Sequence, residues 1–155
     1  ISVACTRLLV HERVADAFTE RLRNTYGRIR IGLPDDPQTE MGPLVSRAQH
    51  ERVQHYIEIG REEQAQPETM QDLSGRAELQ AGCFAAPTLF LQGRNEMRVA
   101  QEEIFGPVQV LIPFRDEDQA ARIANPSRYG LAGVVYPRDR GRAMRRSPST
   151  TTAGP

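Results

Sequence analysis

Apolar residues follow two different patterns in the first third of the chain. The run Leu8-Leu9-Val10 predicts a strand over residues 1–11. An apolar residue then recurs at every fourth position, which predicts an amphipathic helix with its charged residues outside: Val14, Phe18 and Leu22. Gly27 follows this repeat, and we expect it to cap the helix in the left-handed conformation that glycine adopts most easily.

A second helix is indicated by the residues that follow a loop rich in Pro, Gly and Asp over 28–44. Ser46 and Gln49 are spaced as in a capping box, in which each side chain binds a free backbone amide at the helix start. We expect this helix to end at about residue 63 and to bury Val53 and Ile57, which share one face.

Strands and helices alternate in the predicted second half of the chain. The residues 64–80 are polar and predict no regular element. The apolar runs and helix-start signals after them predict three strands, 86–91, 108–114 and 131–136, and two helices, 116–124 and 139–146. The strand at 108–114 alternates little, as is typical of a strand buried on both faces. This alternation of elements favours a layered α/β fold.

Composition restricts the possible functions. The 155 residues suit one domain, and the net charge is zero, so no overall field draws the chain to nucleic acid or to an acidic membrane. The arginines clustered over 138–146 lack interleaved aromatics and indicate a solvated helix face. All 20 basic residues are Arg, which excludes Schiff-base chemistry on a lysine of this chain. No membrane span or signal peptide is evident, so we expect a cytoplasmic location.

The cysteines and histidines give no sign of a metal site. Cys5 and Cys83 are far apart in sequence and are expected to be free, buried thiols. The three histidines lack the spacing of a ligand set: His11, His50 and His55.

Five segments, in this order, resemble the aldehyde dehydrogenase superfamily: residues 3–12, 32–44, 82–88, 102–108 and 124–132. The most specific is Glu102-Glu103-Ile104-Phe105-Gly106-Pro107-Val108. The resemblance implies an α/β fold, a three-layer α/β/α sandwich with a mostly parallel sheet, here incomplete. It also implies that residues 1–146 correspond to the C-terminal part of the catalytic domain, truncated at both ends. Residues 147–155 lack apolar periodicity and are expected to be a disordered tail.

The resemblance assigns roles to four residues. Ser2 stands at the position of the family's nucleophilic Cys, five residues before Arg7. Because a serine hydroxyl is a far weaker nucleophile than a thiolate, we expect hydride-transfer chemistry to be lost or nearly so. Glu103 would accept hydrogen bonds from both hydroxyls of the nicotinamide ribose, and Phe105, two residues on in an extended segment, would pack near the nicotinamide. Leu131 lines the substrate or nicotinamide pocket or is an ordinary core leucine. Glu102 is expected to be solvated.

The function implied is that of an oxidoreductase that oxidises an aldehyde to a carboxylic acid with NAD or NADP through a thiohemiacetal and a thioester. The family's general base, oxyanion-binding asparagine and dinucleotide-binding domain precede this segment, so we expect the isolated chain to be inactive. Phosphate or coenzyme A in place of water as the acyl acceptor stays open. The alternative is a non-catalytic binding or interaction module. Family members are homo-oligomers, and an exposed sheet edge in this chain would favour self-association.

Overall fold

The fold is mixed α/β, as the order of its elements shows. The computed structural model describes residues 4–130 and 132–136. In chain order the elements are β1 (Arg7–His11), α1 (Glu12–Tyr26), α2 (Arg47–Glu62), β2 (Gln66–Thr69), α3 (Ala77–Gln80), β3 (Thr88–Leu91), α4 (Arg98–Gln101), β4 (Val108–Phe114) and α5 (Glu117–Ala124). In this part of the chain no helix is long and apolar enough to cross a membrane.

The four strands form one mostly parallel sheet in the order β1-β4-β3-β2. The central strand β4 pairs in parallel with β1, where Arg7 lies opposite Val110, and with β3, where Phe90 lies opposite Val110 on the other side. Only β2 runs antiparallel, against β3. The predicted mostly parallel sheet is confirmed.

Helices cover both faces of this sheet. Alternate residues of β4 point to opposite sides, so Val110 packs with Val53 of α2, whereas Leu111 packs with Phe18 of α1. The residues of β4 from Val110 to Ile112 are all buried, as expected for a strand covered on both sides. The result is the three-layer α/β/α arrangement that the resemblance implies.

Helix α2 packs closely on the sheet. Its start is capped as predicted, since Ser46 Oγ accepts a hydrogen bond of 3.2 Å from the Gln49 amide. Gly60 faces the ring of Phe90 so closely that an added Cβ would overlap it. Val53 and Ile57 are buried, as the apolar repeat predicts. Through these contacts α2 is held at a fixed height above the strands.

Two short elements lie where the sequence predicts none. β2 and α3 both fall within residues 64–80. β2 has no apolar alternation, and none of its residues is fully buried. Its Pro67 is tolerated because β2 is an edge strand, which leaves one row of backbone groups unpaired. Its pairing with β3 is what defines it, and a pairing partner cannot be read from a polar stretch.

Several local predictions are wrong. Residues 132–136 form no strand: no other described strand pairs with them, and Val134 and Tyr136 are exposed. Gly27 has φ −64°, a right-handed conformation that lets its amide bind the Arg23 carbonyl. Val14 is half exposed, and Ala15 instead packs with Phe18 and Leu22.

The two cysteines are free but not fully buried. Cys5 precedes β1 and Cys83 precedes β3, and both are partly exposed. The expected free state is confirmed, whereas the expected burial is wrong, because both residues lie in segments that precede strands rather than in the strands. The helix predicted at 139–146 and the tail at 147–155 lie outside the described residues.

Candidate active site

The motif loop, residues 102–107, lies at the amino end of β4 and presents two side chains to solvent. Ile104 is buried in the core, whereas Glu103 is exposed and the Phe105 side chain is 62% exposed. Phe105 has φ +61°, in the left-handed region that non-glycine residues rarely adopt. The premise that Phe105 follows Glu103 in an extended segment is therefore wrong, because the chain turns at Phe105 itself.

The backbone of the motif loop is bound by side chains of α2. Gln49 Nε2 donates to the Ile104 carbonyl at 2.9 Å and to the Phe105 carbonyl at 2.8 Å. Arg52 Nη2 donates to the Glu103 carbonyl at 2.6 Å. Only half of the predicted capping box is thus formed. Ser46 binds the backbone amide of Gln49, whereas the side-chain amide of Gln49 binds the loop rather than the start of its own helix.

Glu102 is part of a hydrogen-bonded cluster, and the expectation that it is merely solvated is wrong. Its Oε2 accepts a hydrogen bond of 2.6 Å from the Tyr56 hydroxyl, and Arg98 Nε lies 2.9 Å from Oε1. These donors, Arg98 foremost, lower the pKa of Glu102 to about 2. Hydrogen bonding to Glu102 in turn raises the pKa of Tyr56. Glu102 therefore connects α2 and α4 at the start of the motif loop.

Glu103 has the opposite environment from its neighbour. Its carboxylate makes no hydrogen bond or ion pair with any residue that the structure describes, while its backbone carbonyl is bound by Arg52. An exposed carboxylate on a fixed backbone keeps all its acceptor capacity for a ligand. Of the two adjacent acids, Glu102 is hydrogen-bonded through its carboxylate, whereas Glu103 has no such partner in the part of the chain that the structure describes.

Gly106 allows the motif loop to approach α2. A Cβ on this residue would overlap the Val53 side chain, which is fully buried. The Val108 amide then closes a tight turn by donating to the Gly106 carbonyl at 2.8 Å, and the Thr88 amide binds the Pro107 carbonyl at 2.9 Å. The loop is thus joined directly to β3 and β4.

A cleft of about 410 Å³ adjoins the motif loop. It is lined by residues of three of the five family-like segments: residues 40–44, Ala85, and Gly106 with Pro107. The Leu44 amide donates to the Cys83 carbonyl at 2.8 Å, which joins two of these segments. Segments separated by up to about sixty positions in sequence therefore meet in one place.

The chain just before β1 lies at the same end of the sheet as the motif loop. β1 and β4 are parallel, so both strands begin at this end. Val110 donates to the Thr6 carbonyl at 2.8 Å, and Gln109 Nε2 donates to the Cys5 carbonyl at 2.8 Å. Of the predicted site residues the structure describes Glu103 and Phe105, which lie on the same short loop; Ser2 and Leu131 lie outside the described residues.

Arg7 holds the amino end of β1 against α5. Its guanidinium donates to Asn95 Oδ1 at 2.7 Å and to the Ile123 and Ala124 carbonyls at 3.0 Å. Burial lowers the pKa of Arg7. The two carbonyls end α5, where a cation is favoured by the helix dipole.

The sequence analysis did not predict the part that four residues play in this site: Arg7, Gln49, Arg52 and Tyr56. The last three share one face of α2 at positions i, i+3 and i+7, a periodicity that is visible in the sequence. Their partners in the motif loop are about fifty residues away and leave no local signal. Among the described residues no group of His, Cys, Asp and Glu could hold a metal ion.

Known proteins resemble this chain over nearly all of its length. The sequence model "Aldehyde dehydrogenase family" matches residues 1–154. A protein of Staphylococcus aureus (strain MSSA476) whose name places it among the aldehyde dehydrogenases is 43% identical over 141 residues, covering 90% of this chain and 29% of that protein. The chain thus spans about 29% of the length of the curated relatives it matches.

Solved structures agree in fold. Betaine aldehyde dehydrogenase from Staphylococcus aureus, in complex with NAD+, superimposes with a TM-score of 0.86 at 35% identity, over 90% of this chain and 28% of that one. Mycobacterium tuberculosis aldehyde dehydrogenase complexed with NAD+ gives a TM-score of 0.86 at 39% identity, over 92% of this chain and 29% of that one. With sequence, fold and the meeting of the motif segments in agreement, the chain belongs to the aldehyde dehydrogenase family.

Proposed function

We propose that this chain forms the nicotinamide-side wall of an NAD(P)-dependent aldehyde dehydrogenase active site and has no turnover by itself. In this proposal Glu103 binds the two hydroxyls of the nicotinamide ribose and Phe105 contacts the nicotinamide ring. Ser2 occupies the nucleophile position, and Leu131 lines the pocket or fills the core. The observation that carries the proposal is the exposed carboxylate of Glu103, which has no partner among the described residues and stands on a backbone fixed by α2.

The residues present fit this cofactor. Two ribose hydroxyls are hydrogen-bond donors, and an ionised carboxylate is an acceptor that can bind both. The Phe105 ring is largely exposed on the same short loop, so an aromatic or nicotinamide ring can pack against it. A bound nicotinamide would supply the hydride acceptor, and Glu103 and Phe105 would hold it in position. NAD and NADP carry the same nicotinamide ribose, so both suit this loop.

Ser2 is the reason to expect no turnover. Attack on an aldehyde requires a nucleophile that is activated at neutral pH, and a serine hydroxyl needs an adjacent strong base for this. A thiol is a few per cent ionised near neutrality without such help.

Cofactor binding and turnover test the proposal separately. The purified 155-residue chain is titrated with NAD+ and with NADP+, and backbone amide NMR shifts are followed. We expect shifts at the motif loop, and Glu103→Gln should weaken binding about tenfold or more because an ionised acceptor is replaced by a neutral one. Glu96→Gln, at another exposed acid, is the matched control and should bind as wild type.

Two results would contradict the proposal. Absence of any shift at the motif loop with either cofactor would remove the cofactor contact. Aldehyde-dependent formation of reduced nicotinamide by the purified chain would remove the claim of inactivity. If such turnover is found, the acyl acceptor can then be identified as water, phosphate or coenzyme A.

A non-catalytic interaction module is the second candidate. β1 lies at one edge of the four-stranded sheet, and only its β4 side is paired within the part of the chain that the structure describes. Unpaired strand edges bind other chains. Light scattering behind size-exclusion chromatography tests this candidate: a dimer supports it, and a monomer across a wide concentration range counts against it.

A further inference from the structure

The motif loop is unusual in how its carbonyl groups are satisfied. The carbonyls of Glu103, Ile104 and Phe105 are consecutive, and all three accept hydrogen bonds from side chains of α2. Loop carbonyls at a protein surface commonly bind water instead. Here the donors belong to a helix that is fixed in the core by Val53 and Ile57. The loop backbone is therefore tied to a rigid element.

The double hydrogen bond from Gln49 requires the bend at Phe105. In an extended chain successive carbonyls point to opposite sides, so a single nitrogen could not bind two of them. The left-handed conformation of Phe105 brings the Ile104 and Phe105 carbonyls within 2.9 Å and 2.8 Å of Gln49 Nε2. A left-handed backbone is unfavourable for a non-glycine residue. The two hydrogen bonds offset this cost and select the bent backbone.

Arg52 fixes the residue that carries the candidate cofactor carboxylate. Its guanidinium binds the Glu103 carbonyl at 2.6 Å, and its carbon Cζ lies 5.0 Å from the centroid of the Tyr56 ring. Tyr56 is itself held by Glu102. Residues 102–105 are thus bound in succession by Tyr56, Arg52 and Gln49, which follow one another along one face of α2.

We infer that Gln49 and Arg52 are positioning residues, which hold the backbone of residues 103–105 so that the Glu103 carboxylate and the Phe105 ring are presented in one fixed arrangement. Gln49 Nε2 and Arg52 Nη2 are directed at the carbonyls of residues 103–105, so in this arrangement the two residues act through the loop. This inference rests on the proposed function for its meaning, since it is the cofactor that such an arrangement would serve.

Amide hydrogen exchange measures the arrangement directly. Gln49→Glu keeps the length and shape of the side chain but replaces both N–H donors with acceptors. A neutral hydrogen bond contributes about 1 kcal/mol, or about fivefold in an equilibrium, so loss of two should speed exchange in a peptide spanning 102–108 by about 5- to 25-fold. Gln54→Glu, at an exposed position of the same helix, is the matched control and should leave this peptide unchanged.

The Arg52 variants supply a rescue test. Arg52→Ala should also speed exchange of the 102–108 peptide, and Arg52→Lys, which keeps a cationic donor, should restore most of the protection. In both series the melting temperature and the exchange of β3 and β4 should change little. That separation distinguishes positioning of the loop from a general loss of stability.

Cofactor titration of the same variants completes the test. Gln49→Glu should weaken NAD+ binding by a factor similar to its effect on exchange, with Gln54→Glu unchanged. Unchanged exchange at 102–108 in Gln49→Glu would overturn the inference, whatever the binding result. Faster exchange with undiminished NAD+ binding would overturn it as well. An absence of NAD+ binding in the wild-type chain is a different result and contradicts the proposed function instead.

Discussion

The Tyr56 hydroxyl donates a 2.6 Å hydrogen bond to Glu102 Oε2, which joins the middle of α2 to the residue just before Glu103. Arg98 binds the same carboxylate through two nitrogens, at 2.9 Å and 3.1 Å. Adjacent acids in this motif therefore have different tasks. Glu102 fixes the start of the loop, whereas the Glu103 carboxylate binds no other residue within 4–130 and 132–136.

The low pKa of Glu102 predicts a specific dependence of stability on pH. Its folded-state pKa of about 2 lies below the ordinary value of 4.5. The stabilisation is therefore fully present above about pH 5 and is lost as the pH falls towards about 2. We expect Glu102→Gln to lower the free energy of unfolding near neutral pH, and the difference from wild type to shrink on acidification in urea titrations.

A double-mutant cycle of Glu102→Gln with Tyr56→Phe separates this contact from the rest of the protein. Arg23 also lowers the pKa of Glu68, so acid weakens more than one contact, but the cycle subtracts contributions outside the pair. The coupling should be about 1 kcal/mol near neutrality, because the pair is partly exposed, and near zero at about pH 2. A coupling that does not change with pH would show that the carboxylate's ionisation plays no part.

The Arg7 contacts predict a large loss on truncation. Three carbonyl or amide oxygens, from Asn95, Ile123 and Ala124, depend on one guanidinium. Arg7→Ala should cost about 2–3 kcal/mol in the free energy of unfolding, since a partly buried helix end loses its donors. Arg7→Lys should recover less than half, because an ammonium lacks the planar fork that reaches both ends of this set. Arg13→Ala, on the exposed face of α1, is the control and should stay within about 0.5 kcal/mol of wild type.

The main elements could be predicted because their signal lies within each segment. β4 reads as a continuous apolar run, and α2 as a capped apolar repeat around Val53 and Ile57. The sequence does not predict the pairing of β2 with β3 or the lack of a strand at 132–136, because a strand forms only beside a partner. The same limit applies at the site. The Ser46 cap is local and was predicted, whereas the side-chain amide of Gln49 binds carbonyls more than fifty residues later.

The contact between Gly106 and Val53 predicts that a single methyl group is not tolerated in the motif loop. In Gly106→Ala the new Cβ would overlap a fully buried valine, and relief requires the loop or α2 to move. Overpacking of this kind costs about 1–3 kcal/mol. The melting temperature should fall accordingly, while Gly42→Ala, where nothing lies near the added Cβ, should change little. In a protein that already carries Val53→Ala, Gly106→Ala should cost less stability than it does in wild type. Strict additivity of the two changes would contradict the overlap.

The left-handed backbone of Phe105 predicts that two substitutions which both remove its ring will differ in stability. At φ +61° glycine has no steric penalty, whereas a β-branched residue is strongly disfavoured. Because the Phe105 side chain is 62% exposed, losing it costs little burial. Phe105→Gly should therefore be within about 1 kcal/mol of wild type, and Phe105→Val less stable than Phe105→Gly by about 1–2 kcal/mol. Both should weaken NAD+ binding if the ring contacts the nicotinamide.

Equal stability of the two variants in urea titrations would mean that the loop relaxes out of the left-handed conformation when the ring is removed. In that case the ring, and not the hydrogen bonds from Gln49, would be what holds the bend.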